Sequence, residues 1–439
     1  MSEQLQILKY YLYYKYLLHF SDRKRLLLWQ QKKLRRHLVF VGKHVKIYCG
    51  KRNLREYPVA DKEFMMKHFD QINTAGIRRE EAEAFAVEAE RERNFVPRLH
   101  GVTVGLSSGT SGKRGIFLVS DKERLRWAGY ILARFLPGSI LNTYSIAFFM
   151  RADSNLYESL KSQRIRFHFF DIYQDMEAHR KRLKEIQPDI LVGQPSVLLM
   201  LAKSMRDELG PINPKVIISI AEVLEKRDEE LLKKIFNVDI IHQVYQCTEG
   251  CLATTCRLGT LHLNEDIVHI DREYLDERRF VPVVTDFERK TQPVIRYRLN
   301  DILVEKTCPC GCKSPCLALE KIEGREDDVF VFSGKDGQKH TVFPDFIRRC
   351  VLFADSPGTN CTSDYRVVQE PEGNILVYGD FEEDEKKRIR LEFVRLAKDR
   401  DLLLPELAFL PYTCEPGRKM KRIEHRTAGS KEKRKCASD

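Results

Sequence analysis

Between residues 100 and 247 the chain alternates short apolar runs with segments of helical periodicity, and this alternation restricts the fold more than any other feature. The runs DILVG (189–193), KVIISI (215–220) and VDIIHQVY (238–245) are separated by stretches with helical spacing. Such an order is typical of βαβ units, whose strands lie parallel in one sheet. We therefore predict an α/β fold, with a large N-terminal domain of mostly parallel sheets and helices and a small α+β C-terminal domain.

Three regions are expected along the 439 residues. Residues 1–95 have helical periodicity and are predicted to pack on the large domain, whose core spans residues 96–324, and residues 325–439 form the small domain with a basic tail. No apolar run approaches the ~20 residues that a bilayer crossing needs. The amino terminus lacks the basic and apolar blocks of a secretory signal, so we expect a cytoplasmic protein.

The net charge of +11 is concentrated at the two ends of the chain. Residues 1–55 carry +12 and residues 417–439 carry +6, so the middle is acidic. Nucleic-acid-binding domains usually carry a basic face on the folded domain, which makes a nucleic-acid partner unexpected here. We interpret the ends as amphipathic helices and a solvated tail, with contact to RNA or an anionic membrane as the alternative.

A glycine-rich loop, SSGTSGKRG (107–115), lies between two predicted strands. Its glycines permit positive φ, so that successive backbone N–H groups can converge on an anion, and its hydroxyls and Lys113 suit a polyphosphate. The spacing excludes a Walker loop, because Arg114 follows Lys113 where Ser or Thr is required. A Gly/Ser hairpin without a ligand is the alternative interpretation.

Seven of the twelve cysteines lie between Cys247 and Cys316, which indicates a metal rather than a disulfide framework. Cys256-x5-His262 and Cys308-x-Cys310 supply three thiolates and one imidazole, a set appropriate to a closed, tetrahedral Zn²⁺ site. Three other thiols could replace one of these ligands: Cys251, Cys312 and Cys316. Core cysteines without a metal are the alternative.

The glycine loop resembles the phosphate loop of the adenylate-forming superfamily. Four further segments resemble that superfamily's motifs in the same order: AEVL (221–224), VYQCTEG (244–250), IRYRLNDI (295–302) and GREDDVFVFSG (324–334). Within the superfamily, Cys-Pro-Cys-Gly at 308–311 and Val-Phe-Pro at 342–344 resemble the phenylacetate–coenzyme A ligase branch, some of whose members carry zinc at similar elements.

The resemblance implies an enzyme that condenses a carboxylic acid, aromatic in this branch, with ATP and Mg²⁺ to give an acyl-adenylate and pyrophosphate. The acyl group then passes to a thiol, with coenzyme A as the expected acceptor. A carrier protein or an amine is the alternative acceptor, and a non-catalytic, zinc-stabilised protein that binds RNA or membrane is the alternative function. A homodimer is left open. The small domain is implied to be a mobile lid.

Site residues follow from the resemblance position by position. The nucleotide-binding set is Ser107, Ser108, Gly109, Thr110, Ser111, Gly112, Lys113, Ala221, Glu222, Tyr245, Asp301 and Arg325. Thr248 is implied to contact the α-phosphate and Glu249 to hold Mg²⁺, with Asp327 as the hinge of the lid. Lys419 is implied to be the catalytic lysine, although Arg418 stands where this motif has glycine. The chain also departs from the superfamily at Gln246–Cys247 and at Leu299–Asn300.

Overall fold

The computed structural model describes residues 2–107, 114–150, 162–172, 174, 176–205, 212–352, 364–412 and 421–427. The chain forms two compact units. The first comprises residues 1–299 and 303–321, and the second comprises residues 300–302 and 322–439.

Helices alternate with strands along much of the described chain. The helices are α1 Glu3–Leu12, α2 Arg23–His44, α3 Lys62–Lys67, α4 Phe69–Ile72, α5 Arg79–Arg91, α6 Asp121–Phe135, α7 Met176–Ile186, α8 Pro195–Ser204, α9 Lys226–Phe236, α10 Pro344–Leu352 and α11 Glu383–Asp399. The strands of the first unit are β1 Val102–Leu106, β2 Ile116–Ser120, β3 Tyr144–Met150, β4 Ile165–Asp171, β5 Ile190–Gly193, β6 Val216–Ile220, β7 Ile241–Cys247, β8 Gly250–Thr255, β9 Leu261–Leu263, β10 Val268–Tyr274, β11 Arg279–Asp286 and β12 Val294–Arg298. They are followed by β13 Asp301–Glu305, β14 Ala318–Arg325, β15 Phe330–Ser333, β16 Lys339–Val342, β17 Arg366–Gln369, β18 Ile375–Tyr378, β19 Leu407–Leu410 and β20 Ile423–His425.

One large sheet dominates the first unit, and only part of it is parallel. Its order is β10-β11-β13-β14-β9-β8-β7-β6-β5-β3-β4, with β12 paired to β11. Strands β3 to β7 pair in parallel. Strand β8 pairs antiparallel with both β7 and β9, and β11 pairs antiparallel with both β10 and β12. The predicted α/β class is confirmed, and the parallel pairing follows the predicted βαβ units.

The parallel half is buried between helices, which explains its apolar sequence. Every residue of β5 is buried, as are four of the five residues of β6. Phe149 of β3, Leu191 of β5 and Ile217 of β6 pack in one cluster with residues of α8 and α9. Because both faces of this half are covered, near-continuous apolar strands are required there.

Helix α1 is held against α6 by a glycine on α6 that allows close approach. A Cβ atom on Gly129 would lie 2.5 Å from the Cβ of Tyr10 and 2.9 Å from the carbonyl oxygen of Ile7. The buried Arg124 guanidinium of α6 also contacts the Glu3 carboxylate of α1 at 2.6 Å. The N-terminal helices are therefore an integral part of the first unit.

A separate core supports the second unit. Its four-stranded sheet has the order β19-β18-β17-β20, and β15 pairs with β16 in a second small sheet. Phe330 of β15, Val367 of β17 and Phe393 of α11 are fully buried in one cluster. Within the part of the chain that the structure describes, no helix has the length and apolar character needed to cross a membrane.

Replacing Gly129 by alanine tests the packing of α1. We expect Gly129→Ala to lower the free energy of unfolding by about 1–3 kcal/mol, because the new methyl group must displace backbone rather than a flexible side chain. Denaturant unfolding of Gly129→Ala and of Gln31→Ala, an exposed position on α2, makes the comparison. Equal stability of both variants and the parent would contradict the close approach.

Candidate active site

The predicted phosphate loop closes a β-hairpin formed by β1 and β2. Leu106 pairs with Ile116, the Ser107 N–H donates to the Gly115 carbonyl at 2.7 Å, and the Gly115 N–H donates to the Ser107 hydroxyl at 2.7 Å. Residues 108–113, the predicted core of the loop, lie outside the described residues. The hydroxyl of Ser107 thus ties the base of the loop together.

Lys62 brings a second cation to the base of this loop, and the sequence analysis missed it. A Cβ atom on Gly115 would lie 3.3 Å from Lys62 Cε. The chain just before Lys62 is fixed by Ala60, whose N–H donates to the Arg296 carbonyl and whose carbonyl accepts from the Arg298 N–H. No local motif marks Lys62, because strand pairing across more than 230 residues of sequence places it.

Thr248 and Glu249 are the two central residues of the tight turn between β7 and β8. Cys247 pairs with Gly250, and the Thr248 hydroxyl donates to the Glu249 carboxylate at 2.9 Å. The Tyr297 hydroxyl also donates to Glu249, and burial followed by the charge of Glu249 raises the pKa of Tyr297 far above its ordinary value. The Glu249 carboxylate is therefore held in place by two hydroxyl groups.

Residues 286–292, here called the bracing segment, connect this turn to the glycine-loop hairpin. The Arg289 guanidinium donates to the Thr248 carbonyl and to the Leu118 carbonyl of β2. The Gln292 amide accepts from the Leu118 N–H at 2.9 Å and donates to the Ile116 carbonyl at 3.1 Å. One short segment thus fixes the strand that leaves the predicted phosphate loop and the turn that carries Glu249.

Asp286 shapes the bracing segment from within the core. Its carboxylate accepts from the backbone N–H groups of Glu288 and Arg289 at 2.8 and 3.2 Å. Burial raises the pKa of Asp286 to about 7, although the Arg289 charge opposes this shift. The buried carboxyl group therefore exchanges its proton near neutral pH.

Glu222 lies at the carboxyl end of β6 and is bound by the first turn of α8. The Ser196 N–H and hydroxyl both approach the Glu222 carboxylate at 3.1 Å, so the acid occupies the positive end of the helix. Ala221 adopts φ +66°, in the left-handed region that favours glycine. The turn keeps its backbone shape without the glycine that the superfamily motif has there.

Tyr245 and Gln246 lie on β7, just before the Thr248–Glu249 turn. The Tyr245 side chain is largely buried. The Gln246 amide oxygen accepts from the Trp127 indole N–H of α6 at 2.9 Å. This bond gives a structural reason for glutamine at one of the positions where the sequence departs from the superfamily.

In the second unit, the guanidinium group of the predicted site residue Arg325 lies near two other predicted site residues, Asp301 and Asp327. Arg325 donates to the Asn300 side-chain oxygen at 2.7 Å, and its Nε lies 3.9 Å from an Asp301 oxygen and 3.6 Å from an Asp327 oxygen. The Glu326 N–H donates to the Asn300 carbonyl at 2.6 Å. Asn300, a departure from the superfamily motif, thus orients Arg325 beside the predicted ribose acid and the predicted hinge.

Lys419 lies outside the described residues, but its neighbour Lys421 is described and is engaged. The Lys421 ammonium contacts the buried Asp328 carboxylate at 2.6 Å. Burial raises the pKa of Asp328 to about 6, and Lys421 opposes that shift. This ion pair gives Lys421 a structural role in the second unit, so Lys419 stays the predicted catalytic lysine.

Four candidate metal ligands come together from two parts of the chain: the β8–β9 hairpin and the loop between β13 and β14. The ligand atoms of Cys256, His262, Cys310 and Cys312 all lie within 4.8 Å of one another. This group differs from the predicted set in one member: Cys308 is exposed and lies outside it, and Cys312, one of the predicted replacement thiols, lies in it. The reason is local: the Ser314 N–H donates to Cys312 Sγ and Lys313 adopts φ +61°, which fold the loop so that Cys310 and Cys312 join the group.

Two distances in this group match those between the ligands of a tetrahedral zinc ion. Cys256 Sγ and Cys310 Sγ are 3.7 Å apart, and Cys312 Sγ is 3.4 Å from His262 Nε2. Zinc bonds of ~2.3 Å to sulfur and ~2.0 Å to nitrogen would place these atoms about 3.8 and 3.5 Å apart. His262 Nδ1 donates to the Cys316 carbonyl at 3.0 Å, the outer hydrogen bond that ligating histidines usually make.

Comparison with known proteins identifies the fold. A solved 2-hydroxyisobutyryl-CoA ligase, in complex with 2-HIB-AMP, aligns with a TM-score of 0.66 at 13% identity and covers 91% of this chain and 88% of its own. An anthranilate CoA ligase with anthranoyl-AMP aligns with a TM-score of 0.50 at 11% identity, over 74% of this chain and 67% of its own. The chain therefore shares the fold of these adenylate-forming ligases. The superfamily resemblance of the five motifs is confirmed.

Sequence comparison adds one relative. The indoleacetate–lysine synthetase of Pseudomonas savastanoi is 26% identical over 276 residues, which cover 57% of this chain and 64% of that protein. No protein-family profile matches the chain. The phenylacetate–coenzyme A ligase branch and the individual residue roles stay predictions.

Exchanging two cysteines separately tests the corrected ligand set. We expect purified protein to contain about one zinc ion per chain. The Cys312→Ser variant should lose the zinc and melt at a lower temperature, because metal binding contributes to the folding energy. The Cys308→Ser variant should keep both the zinc and the melting temperature of the parent. Elemental analysis and thermal denaturation measure both effects. Zinc retained by Cys312→Ser but lost from Cys308→Ser would restore the sequence-based set.

The buried Asp286 predicts a pH dependence of stability. Its folded pKa of about 7 exceeds the unfolded value of about 3.9, so its protonated form stabilises the fold at low pH and that contribution is lost as the pH rises from 4 to 7. Asp286→Asn should remove this slope and raise stability at pH 8, on the order of 2–4 kcal/mol. Denaturant unfolding between pH 5 and 8 measures it, with the exposed Asp239→Asn as control. An unchanged slope in Asp286→Asn would contradict the assignment.

Proposed function

We propose that the chain activates a carboxylic acid with ATP. The acid's carboxylate oxygen attacks the α-phosphorus, the bond to the β-phosphate oxygen breaks, and pyrophosphate leaves the acyl-adenylate. The observation that carries this proposal is the braced arrangement of the first unit, in which Arg289 holds both the Thr248 carbonyl and strand β2. The sequence relation to an acid-activating synthetase and the shared fold support it.

The residues have distinct tasks in this reaction. Attack by one anion on another needs cations and oriented donors around the α-phosphate. We assign the glycine loop with Lys113, together with Lys62, to the outer phosphates and Thr248 to the α-phosphate. Glu249 suits Mg²⁺, because a half-buried carboxylate is a hard oxygen ligand; the ion would neutralise phosphate charge.

Asp301 and Arg325, which belong to the second unit, are assigned nucleotide-binding roles. Asp301 would accept from the ribose hydroxyl groups and Arg325 would donate to phosphate, with Lys419 neutralising the reacting carboxylate. Asp327 remains the proposed hinge. These roles rest on the motif order, and the ordered Asn300–Arg325 bonds support them because they hold the guanidinium beside Asp301.

We propose a thiol, with coenzyme A as the first choice, as the acceptor of an aromatic acyl group. The thiolate would attack the acyl carbonyl carbon and AMP would leave. An amine acceptor has an observation of its own, because the 26% identical relative is an indoleacetate–lysine synthetase. Incubating enzyme, ATP and acid with coenzyme A, with lysine, or with both, and identifying the product by mass spectrometry, distinguishes thioester from amide.

Zinc is proposed as a structural ion in this enzyme. Cys256, His262, Cys310 and Cys312 would hold it, and four protein ligands leave no open position for catalysis. It would tie the β8–β9 loop to the β13–β14 loop.

Two substitutions test the adenylation site by pyrophosphate exchange against a panel of carboxylic acids. Glu249→Gln and Asp301→Ala should each lower acid-dependent exchange by at least about 100-fold, because each removes a contact made to the reacting nucleotide or its metal. The exposed Glu277→Gln serves as a matched control and should exchange normally. Near-normal exchange by either site variant, at unchanged melting temperature, would remove that residue from the site.

A further inference from the structure

A buried side-chain amide nitrogen lies at the carboxyl end of β5, in the same sheet whose strands β6 and β7 lead to Glu222 and Thr248. Gln194 follows β5 directly and begins helix α8, and its side chain is only 1% exposed. Its Nε2 has no hydrogen-bond partner in the part of the chain that the structure describes. Buried polar groups in folded proteins are nearly always paired, so an unpaired N–H donor of this kind requires an explanation.

The residues close to Gln194 in the chain are engaged with another partner or packed against apolar side chains. Ser196, two residues further on, already donates both of its groups to Glu222. The preceding Gly193 has Phe149 and Leu198 as its nearest side chains. An amide left unpaired among such neighbours destabilises the free protein, and a ligand that accepts from Nε2 would remove that penalty.

Strand register places Gln194 at a defined distance from the predicted reaction centre. Gly193 pairs with Ser219, so Gln194 is level with Ile220 and next to the Ala221–Glu222 turn. Ile220 in turn pairs with Val244 of β7, the strand that leads to Thr248. Adjacent strands are ~4.8 Å apart, so two strand spacings, about 10 Å, separate the ends of β5 and β7.

That separation selects which part of a bound acyl-adenylate could contact Gln194. The carboxyl group that joins the α-phosphate belongs beside Thr248 in the proposed function, beyond the reach of one hydrogen bond from Gln194. Two members of the predicted nucleotide-binding set, Ala221 directly after β6 and Tyr245 on β7, lie on strands nearer to Thr248 than β5 does. The part of the acid that could reach Gln194 is therefore a group several bonds away from the carboxyl carbon.

We propose that Gln194 is a specificity-determining residue that donates from Nε2 to an acceptor on the body of the acid. The substrate is then an acid that carries an oxygen or nitrogen acceptor away from its carboxylate, such as a ring hydroxyl group, and an unsubstituted hydrocarbon acid is a poor substrate. This inference rests on the proposed function and narrows its substrate class.

Pairs of acids that differ by one hydroxyl group test the proposal. The pairs are phenylacetate with its three ring-hydroxylated isomers, and a straight-chain acid with its hydroxylated forms, each assayed by pyrophosphate exchange. The parent enzyme should prefer one hydroxylated acid by at least about tenfold in kcat/KM, because a site built around a buried donor rejects the analogue that leaves it unpaired. Gln194→Met should bring that ratio close to one without changing the KM for ATP.

Melting temperature without any acid supplies a second readout. Gln194→Met should melt no earlier than the parent, because it removes an unpaired donor and keeps the side-chain length, and the exposed Gln31→Met is the matched control. Early melting or failure to fold of both Gln194→Met and Gln194→Leu would mean that the amide has a structural partner, which overturns the inference.

The exchange results distinguish failure of the proposed function from failure of the Gln194 inference. A parent enzyme that exchanges with no acid of the panel contradicts the proposed function. An active enzyme whose ranking of the paired acids is the same in the parent and in Gln194→Met overturns only the inference. A raised KM for ATP in Gln194→Met would assign the amide to the nucleotide and also overturn it.

Discussion

The candidate site depends on the hydrogen bonds of the Arg289 guanidinium, which extends from a turn held by a buried carboxyl group. The guanidinium donates to the Thr248 carbonyl and to strand β2, and Asp286 holds the turn that presents it. Gln292 adds two more bonds to β2. This segment joins the glycine-loop hairpin to the Glu249 turn, although the two belong to different sheets. Preorganised donors and charges of this kind are what acyl-adenylate formation requires.

Contacts with the N-terminal helices stabilise the antiparallel half of the large sheet. The proposed zinc ligands join the loop before β9 to the loop before β14. Arg23 of α2 donates to the Pro315 carbonyl in the second of these loops and pairs with the buried Glu265, whose carboxylate also accepts from the Leu317 N–H. The basic N-terminal region is thus partly explained by specific contacts inside the first unit.

The sequence predicted local features well and long-range ones poorly. The βαβ order depends on the local residue pattern, and the structure contains the parallel strands that it predicts. Arg289 and Lys62 carry no motif, because contacts with residues far along the chain bring them to the site. Cys308 and Cys312 are chemically equivalent in the sequence, and the backbone of the loop, including φ +61° at Lys313, decides between them. The alternation of strands and helices did not predict that the sheet continues with antiparallel strands beyond β7.

The central claim is that this chain builds and holds an acyl-adenylate. Calorimetric titration with an acyl-sulfamoyl adenosine, a stable mimic that carries the acid giving the highest exchange rate, tests it most directly. If the site binds the acyl and nucleotide parts together, the mimic should bind at least about 100-fold more tightly than AMP alone. A mimic that binds no more tightly than AMP would contradict the claim.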